Sequence, residues 1–566
     1  MRLSRHAVVL TTTTLAWLLA PVAARKKLPN QASFVSRSEI PPSQWALAAC
    51  NHVQSSLCSK ELKRDEHRVG PLPWEEGQEP IEESYAGHIP IRSWSQDGYH
   101  GETSIWLQGG PGSSSMIGLF FENGPIRVKD NMKLVRRSTS WADEYSVLFI
   151  DQPVGTGYSY VTTKDDKTST EVTDKATLHG LFAMMEAELH HDQANEEVFF
   201  AAQGGNTFEA KSEASRNEKI RVGSPLFWHG YVKDECGVAA DLVNFLSQFY
   251  DRYPEQQKVD LFLSGESYAG KYVPTLAHAI MEHNLDSANS QDQYPLKGIA
   301  LGNTLTDPVS QVQIHADHAY FLGLVTRKQA DQMRALQDKA VEEAARGRFL
   351  ASNAHRIAVF EAFKNATGAL NWYDIRKGSI PNDWSLMEKF MNLKEIKDSL
   401  NVFGPRASFL KEHNVSEQEI AKIEEGRAAT KYFKDPIVIK TMGGDIMRSA
   451  SWMVSDLLGY GVRVLAFQGV FDFRDAVAGS NIWIEGLDWA GKREFEEAER
   501  KLWMVNDQLA GFVTSVQGLT RVTMLGAGHL APMDQAETTM VMIRSLVEGT
   551  NLTTESPASD HTAHTI

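Results

Sequence analysis

One serine, Ser267, stands in a stretch whose residue types could activate it as a nucleophile, SGESYAGKYVP from Ser264 to Pro274. The stretch nearly fits the nucleophile-elbow pattern G-x-S-x-G, in which a sharp turn from a strand into a helix lifts a serine hydroxyl above a sheet. The fit has one mismatch, because Ala269 is two positions after the serine and the glycine follows at Gly270. Such a short pattern also arises by chance, so its surroundings have to decide.

A serine nucleophile needs a histidine base and a carboxylate that orients the base. Two later loops offer these groups, and each follows an apolar run: Asp472 and Asp475 come after VRVLAFQG, and His529 comes after RVTMLG. The order Ser, Asp, His is the one that accompanies a nucleophile elbow. Either aspartate could be the acid at this point, and a loop imidazole with a local hydrogen bond is the alternative for His529.

The elements around these residues are those of a wound sheet. The run VDLFLSG leads into Ser267, and apolar residues with helical spacing follow from Val273 to Met281, so the serine lies between a strand and a helix. The intervening helical periods predict an α/β fold with a doubly wound, mostly parallel sheet. Further buried strands are predicted at TSIWLQGG (103–110), SVLFID (146–151), GIALGN (298–303), VRVLAFQG (462–469) and RVTMLGAGH (521–529).

The chain of 566 residues is long enough for one large α/β unit with insertions. Residues 307–440 are helical and charged without strand-like runs, which predicts a helical cap between two parts of the sheet domain, 71–306 and 441–548. Residues 161–235 fit no element. They are either an irregular surface insertion or translated non-coding sequence, because a structureless stretch of this length is uncommon inside a compact domain.

The N-terminus predicts export. Arg2 and Arg5 precede an apolar run that ends in small residues, which predicts a signal peptide over 1–24; a buried helix is the alternative. We expect an N-terminal segment over 25–70 and a C-terminal tail over 549–566. No later stretch is long and apolar enough to span a membrane. The excess of 72 Asp and Glu over 57 Lys and Arg argues against nucleic acid or an anionic membrane as the main partner.

Sequons and cysteines are compatible with this route. Asn365, Asn414 and Asn551 begin the three sequons. Of only three cysteines, Cys50 and Cys58 are close enough for a local disulfide, which leaves Cys236 over. Stability must therefore come mainly from the hydrophobic core.

Four motifs in the expected order resemble those of the serine carboxypeptidases, a family of the α/β-hydrolase fold. The resemblance covers about residues 71–548 without the segment 161–235. Gln108, where most members carry Asn, and the helical WAGKREFEEAERKLW (489–503) point to the vitellogenic or retinoid-inducible branch. The four motifs are WLQGGPGSSSMIGLFFENGPI (106–126), FIDQPVGTGYSY (149–160), GESYAGKYVP (265–274) and GAGHLAPMDQ (526–535).

The resemblance implies a catalytic role for each matching residue. Ser267 would be the nucleophile and His529 the general base. Asp472 would be the orienting acid, because it falls on the second Asp of the family's G-D-x-D loop, whose first Asp is Val470 here. Asp475 would then be a surface loop carboxylate.

The resemblance also implies how substrate is held. The backbone N–H groups of Gly110 and Tyr268 would form the oxyanion hole. For Glu122 and Glu266, the alternative is a carboxylate at a turn or at the start of a helix. Gln108 is one methylene longer than the usual Asn, and Ser113 replaces a cysteine that is common in the family. A free C-terminal carboxylate would be bound by Trp106, Gln108, Glu122 and Glu266.

The sequence therefore predicts a serine carboxypeptidase, extracellular or in a vacuolar or lysosomal lumen, that acts on peptide and protein C-termini through an acyl-enzyme. We expect activity at acid pH without a metal or organic cofactor. An acyltransferase on the same fold is one alternative. A catalytically silent binding homologue is the other, and Gln108, Val470 and the segment 161–235 favour it. Nothing in the sequence predicts a particular oligomeric state.

Overall fold

The computed structural model describes residues 72–76, 102–159, 231–287, 293–378, 384–402, 407, 411, 415–434 and 436–552. The predicted signal peptide, the segment 25–70 and most of 161–235 lie outside the described residues, as do Cys50, Cys58 and Asn414. No helix among the described residues is long and apolar enough to cross a membrane. Asn365 and Asn551 are both exposed.

Strands occur throughout the described part of the chain. In order they are β1 (Thr103–Leu107), β2 (Ile126–Val128), β3 (Leu134–Arg136), β4 (Ser146–Phe149), β5 (Thr156–Gly157), β6 (Leu261–Glu266), β7 (Leu296–Gly302), β8 (Phe433–Lys434), β9 (Arg463–Gly469), β10 (Lys501–Val505), β11 (Gln508–Val516) and β12 (Leu519–Met524).

Helices connect and cover these strands. In order they are α1 (Glu235–Arg252), α2 (Ala269–Asp286), α3 (Pro308–Val312), α4 (His315–Phe321), α5 (Arg327–Ala345), α6 (Phe349–Thr367), α7 (Ser385–Met391), α8 (Lys394–Ser399), α9 (Glu417–Ala429), α10 (Pro436–Met442), α11 (Ser451–Gly459), α12 (Val477–Glu485), α13 (Lys492–Glu497), α14 (Ala531–Asp534) and α15 (Ala536–Glu548). Gly118–Glu122 form a π-helical turn.

Eight strands form one central sheet in the order β10-β11-β12-β9-β7-β6-β1-β4. Neighbours from β12 to β4 are parallel, and β11 pairs antiparallel with both β10 and β12. The predicted α/β-hydrolase class with a mostly parallel sheet is confirmed. Since parallel strands end at one edge, the loops after β1, β6, β7, β9 and β12 meet there.

Both faces of the sheet are buried, as the continuous apolar runs indicate. Within β7, Ile299 and Leu301 join the core on one face, together with α1, α2 and α11. Ala300 between them joins the core on the other face, together with α15 and the π-helical turn. A third core lies among the helices of the segment 307–440 and includes Phe473 from the sheet domain.

The segment predicted as a cap is helical, as its sequence pattern indicates. Helices α3 to α9 lie within it, and its described residues include one short strand, β8, which pairs with β5. Helix α6 ends where the residue after it takes a left-handed conformation. Gly368 has φ 69°, a left-handed conformation that glycine adopts easily, and it closes the helix.

The helix predicted over 489–503 is wrong in its second half. Helix α13 ends at Glu497, and β10 begins at Lys501 and pairs with β11. Asn506 and Asp507 have φ of 51° and 59°, the left-handed pair that a two-residue hairpin turn requires. Pairing in this hairpin buries Trp503, so the tertiary contact overrides the local helical pattern.

Candidate active site

Ser267 occupies a sharp turn between β6 and α2, as the elbow pattern predicts. Its φ of 64° lies in the left-handed region, which costs a residue with a side chain roughly 1 kcal/mol or more. Two backbone hydrogen bonds hold the turn: the Ser267 N–H donates to the Gly302 carbonyl at 3.1 Å, and the Leu305 N–H donates to the Ser267 carbonyl at 2.9 Å. Ser267 is partly exposed, whereas the residues on either side are buried.

Small residues around the serine explain the mismatch to G-x-S-x-G. A Cβ added to Gly265 would lie 2.6 Å from the Ala269 Cβ, and one added to Gly270 would lie 2.5 Å from the Thr304 Cβ. The strand and helix therefore approach too closely for a side chain at 265 or 270. The methyl group of Ala269 fills the remaining space and is fully buried.

The loop after β1 packs against the elbow through backbone alone. A Cβ added to Gly109 would lie 2.4 Å from the Tyr268 nitrogen and 2.7 Å from the Glu266 carbonyl oxygen. Gly110 has φ 119°, a conformation that L-residues rarely adopt. The two segments that carry the predicted oxyanion-hole donors, the N–H groups of Gly110 and Tyr268, are thus in contact.

His529 and Asp472 lie on the loops that follow β12 and β9, which are parallel neighbours. His529 Nδ1 is 2.8 Å from Asp472 Oδ2, and both side chains are buried. Because an ionised carboxylate only accepts hydrogen bonds, Nδ1 carries the proton and Nε2 carries the lone pair that a base needs. The Arg474 N–H donates to Asp472 Oδ1 at 2.9 Å and helps to fix the carboxylate.

Asp475 is not the surface carboxylate that the sequence predicted. It is 1% exposed, and its Oδ2 lies 3.9 Å from His529 Nδ1. The physical reason is Phe473, whose ring stacks on Phe363 of α6 at 3.8 Å and draws the loop into the third core. Asp472 still makes the shorter contact with the imidazole.

The charge environment of His529 favours the imidazolium. Burial lowers its pKa, but the charge and hydrogen bond of Asp472 and the charge of Asp475 outweigh burial, so the net direction is upward. The imidazole can therefore accept a proton more readily than a buried histidine without such neighbours.

The residues predicted to bind a carboxylate form a connected row at the ends of β1 and β6. Trp106 Nε1 donates to Gln108 Oε1 at 2.9 Å, and Gln108 Nε2 donates to Glu266 Oε1 at 3.0 Å. Glu122, at the end of the π-helical turn, forms a carboxyl pair with Glu266, and both are fully buried. The longer Gln108 side chain therefore bridges the tryptophan and the acid pair.

Glu122 and Glu266 need at least one proton between them. Burial is the main cause that raises the pKa of Glu122 to about 7, and burial together with the Glu122 charge raises the pKa of Glu266 further. If both were ionised, neither oxygen of Glu122 would meet a donor among the described residues. A proton on Glu266 supplies the missing donor, so the pair is stable as acid and carboxylate or as two acids.

The acid pair interacts electrostatically with His529 and Asp472. The charge of His529 lowers the pKa of Glu122, and the charge of Asp472 raises the pKa of Glu266. A small pocket is lined by His529, Leu530 and residues of the segment 373–377. Among the described residues, no hydrogen bond joins Ser267 Oγ to His529, and such bonds are often long before substrate binds.

Two parts of the site escaped the sequence reading. Asn303, directly after β7, donates from Nδ2 to Asp472 Oδ2 at 2.9 Å and accepts from the Gly469 N–H at 3.2 Å. Its place at the end of GIALGN was the available signal, because polar side chains at that edge of a parallel sheet face the site. The Tyr373 carbonyl accepts from the His529 N–H at 2.7 Å, and no side-chain pattern could have indicated a carbonyl from the helical segment.

Comparisons with known proteins find relatives that are named serine carboxypeptidases. Serine carboxypeptidase-like 49 of Arabidopsis thaliana is 29% identical over 78% of this chain and 70% of its own length. The mouse protein named probable serine carboxypeptidase CPVL is 27% identical over 82% and 83% of the two chains. The crystal structure of Kex1(delta)p, a prohormone-processing carboxypeptidase from Saccharomyces cerevisiae, has a TM-score of 0.62 at 22% identity and covers 86% of this chain and 96% of that one, so the fold is shared.

A family model described as serine carboxypeptidase matches residues 95–204 and 227–549. The residues between the two matches, 205–226, lie inside the segment 161–235 that fitted no element. The match spans well over half of the chain and includes Ser267, Asp472 and His529. The chain therefore belongs to the serine carboxypeptidase family, and it is a hydrolase of that type.

Proposed function

We propose that this protein removes C-terminal residues from peptides and proteins through a triad of Ser267, His529 and Asp472. The observation that carries the proposal is the buried His529–Asp472 pair, 2.8 Å apart, on loops at the same sheet edge as the strained serine turn. A histidine oriented by a carboxylate beside a serine held at positive φ is the arrangement that serine acyl transfer needs.

The proposed chemistry has two halves. Ser267 Oγ attacks the carbonyl carbon of the last peptide bond while its proton passes to His529 Nε2. The developing oxyanion accepts from the N–H groups of Gly110 and Tyr268. His529 then gives the proton to the departing amine, which leaves an acyl-enzyme on Ser267.

Water completes the cycle. It attacks the acyl carbon as His529 takes one of its protons, and the serine leaves with that proton to regenerate the enzyme. Asp472 keeps Nδ1 protonated throughout and stabilises the imidazolium. No step needs a metal ion or an organic cofactor.

Exopeptidase specificity is assigned to the row of Trp106, Gln108, Glu122 and Glu266. Neutral carboxyl groups and amide N–H groups can donate to a substrate carboxylate, whereas an ionised glutamate repels it. Because burial raises the pKa of Glu122 to about 7, the pair offers donors on the acid side of neutrality. This supports preference for a free C-terminus and activity towards acid pH.

Gln108 does not weaken the proposal. It departs from the usual asparagine, yet its amide makes both hydrogen bonds of the row. Transfer of the acyl group to an alcohol would use the same triad, and no contact among the described residues favours that acceptor over water. Val470, where the family has Asp, only donates its N–H to the Met524 carbonyl.

A fluorophosphonate probe and a product assay test the function together. We expect the probe to label wild-type protein at Ser267 and the Ser267→Ala variant not at all. Incubation of a peptide with a free C-terminus should release its last amino acid in water, and added alcohol should capture little of the acyl group. Folded wild-type protein that neither binds the probe nor releases an amino acid would sink the proposal.

We also propose export, because residues 1–24 have the pattern of a signal peptide. Asn365 and Asn551 are exposed, as glycosylation acceptors must be. Treatment of the protein from its native source with an N-glycosidase should reduce its mass. An unchanged mass together with an intact residue 1–24 segment would contradict this route.

A further inference from the structure

A second buried carboxyl group, that of Asp475, lies near the His529 imidazole and has no role in the proposed mechanism. Asp475 Oδ2 lies 3.9 Å from His529 Nδ1, and Asp475 Oδ1 lies 3.8 Å from Arg356 Nη2. Neither oxygen has a hydrogen-bond partner among the described residues, although the side chain is 1% exposed. A carboxyl group in this position is costly unless its charge is compensated.

The compensating charge comes from the helical segment. Arg356 of α6 is 3% exposed, and its guanidinium lies 5.0 Å from the centroid of the Phe360 ring. Burial lowers its pKa to about 10, so it stays protonated at any pH where a peptidase would work. Arg474 Nε, 3.9 Å from Asp475 Oδ2, adds a second cation.

We propose that Asp475 is a second positioning acid for His529 and that Arg356 keeps it ionised, so that helix α6 sets the basicity of the catalytic imidazole. The proposal rests on the role of His529 as general base. Asp472 fixes the tautomer through its hydrogen bond. Asp475 makes no such bond, so it acts through its charge on the proton affinity of the ring.

The sign of the effect follows from that charge. An anion about 4 Å from an imidazole stabilises the protonated form and raises its pKa. It also stabilises the imidazolium that forms when Ser267 loses its proton, which strengthens the base. Burial and the charge of Asp472 raise the pKa of Asp475 itself, and the charges of His529, Arg356 and Arg474 oppose that rise.

Other charged groups interact with His529 or line the pocket beside it, and they have to be held constant. They are kept in every variant below, so differences between variants report Asp475 and Arg356. These groups are Asp472, Glu122, Arg474, Asp374, Lys377 and Asp534.

The main test replaces Asp475 by asparagine, which has the same shape without the charge. The pH dependence of kcat/KM is measured on a peptide blocked at its C-terminus, so that carboxylate recognition drops out. The acid limb of this profile is the pH range in which kcat/KM falls because His529 becomes protonated. We expect it to lie about one to two pH units lower in Asp475→Asn than in the wild type. The plateau should fall as well, since a weaker base transfers the proton less readily.

Substitutions at Arg356 change the protonation of the Asp475 carboxyl group without replacing Asp475 itself. In Arg356→Met the carboxyl of Asp475 loses its compensating cation and takes up a proton, so the acid limb should move in the same direction as in Asp475→Asn. Arg356→Lys keeps the cation and should restore most of the wild-type limb. The double variant Asp475→Asn/Arg356→Met should match Asp475→Asn, because one charge at Asp475 explains both effects.

A direct readout protects the test against poor folding of the single variants. The double variant removes both members of the Asp475–Arg356 pair, and the His529 Nδ1 proton can be titrated by NMR in it and in the wild type. Asp331→Asn removes an exposed carboxylate from an ion pair in α5 and serves as the matched control, with no movement of the limb expected.

The outcomes separate this proposal from the proposed function. If wild-type protein lacks probe labelling and turnover, the general function fails. If wild-type protein turns over and Asp475→Asn loses rate or stability without moving the acid limb or the His529 titration, Asp475 is merely structural and the inference is overturned. Movement with Arg356→Met that adds to that of Asp475→Asn would also overturn it.

Discussion

Replacing Glu122 by glutamine tests whether the buried acid pair recognises a C-terminal carboxylate. In the wild type, burial raises the pKa of Glu122 to about 7, and above that pH Glu122 is an anion that meets a substrate anion. The amide cannot ionise, so this repulsion never develops in the variant. We expect wild-type kcat/KM for free-acid peptides to fall as pH rises above about 7, mainly through KM, and the variant to lose that fall.

The magnitude follows from the fraction of enzyme whose Glu122 is neutral. With a pKa of about 7, that fraction drops from about 0.9 at pH 6 to about 0.1 at pH 8, so preference for a free-acid peptide over its blocked analogue should fall about tenfold. A tenfold loss corresponds to about 1.4 kcal/mol of binding free energy. The corresponding ratio for Glu122→Gln should be constant over the same range.

The assay compares two peptides that differ only in a terminal carboxylate or carboxamide. Both substrates need neutral His529, so its titration cancels in the ratio of their kcat/KM values. Glu266→Gln is the matched control, because its amide can accept from Gln108 Nε2 and donate to Glu122, as protonated Glu266 does. The control should keep the fall near pH 7. A wild-type ratio that does not change with pH would refute the carboxylate-binding role.

Further variants probe the rest of the site and the fold. Ser267→Ala should abolish turnover without lowering Tm. Asp472→Asn should lose roughly 10⁴-fold in kcat, because the imidazole would take the wrong tautomer. Peptidase assays of each variant beside the wild type measure both effects. Gly109→Ala would place a methyl group 2.4 Å from the Tyr268 nitrogen, so kcat should drop while the far-UV spectrum stays native. Burial raises the pKa of Glu235 to about 8, so the folded protein keeps a proton there that the unfolded chain releases. The free energy of unfolding should therefore fall as the pH rises from about 4.5 to 8. Denaturant titrations should show a smaller fall for Glu235→Gln.

The sheet was predictable because buried parallel strands are continuous apolar runs, and each run named from the sequence became a strand of the central sheet. The hairpin of β10 and β11 was not predicted, because charged residues with helical spacing precede it. Its signal was the pair Asn506 and Asp507, which tolerate left-handed φ.

At the site, sequence order indicated which loops carry the serine, the histidine and the aspartates. It could not indicate that Asp475 is buried, because the cause is a ring contact between Phe473 and Phe363 of a distant helix. The pairing of Glu122 with Glu266 is equally long-range. Motifs specify residue types, whereas proton sharing depends on how close two segments come.

The helical segment contributes to the site through backbone as well as through Arg356. The Trp372 carbonyl accepts from the Phe473 N–H at 3.0 Å, beside the acid loop, and the Tyr373 carbonyl accepts from the His529 N–H at 2.7 Å. The Ile375 N–H donates to the Phe471 carbonyl at 3.0 Å. One short stretch thus hydrogen-bonds to both loops that hold His529 and Asp472. Because an error of about 1 Å at a reacting group can cost 10²-fold in rate, we expect the segment 372–375 to help align His529 if His529 is the base that we propose.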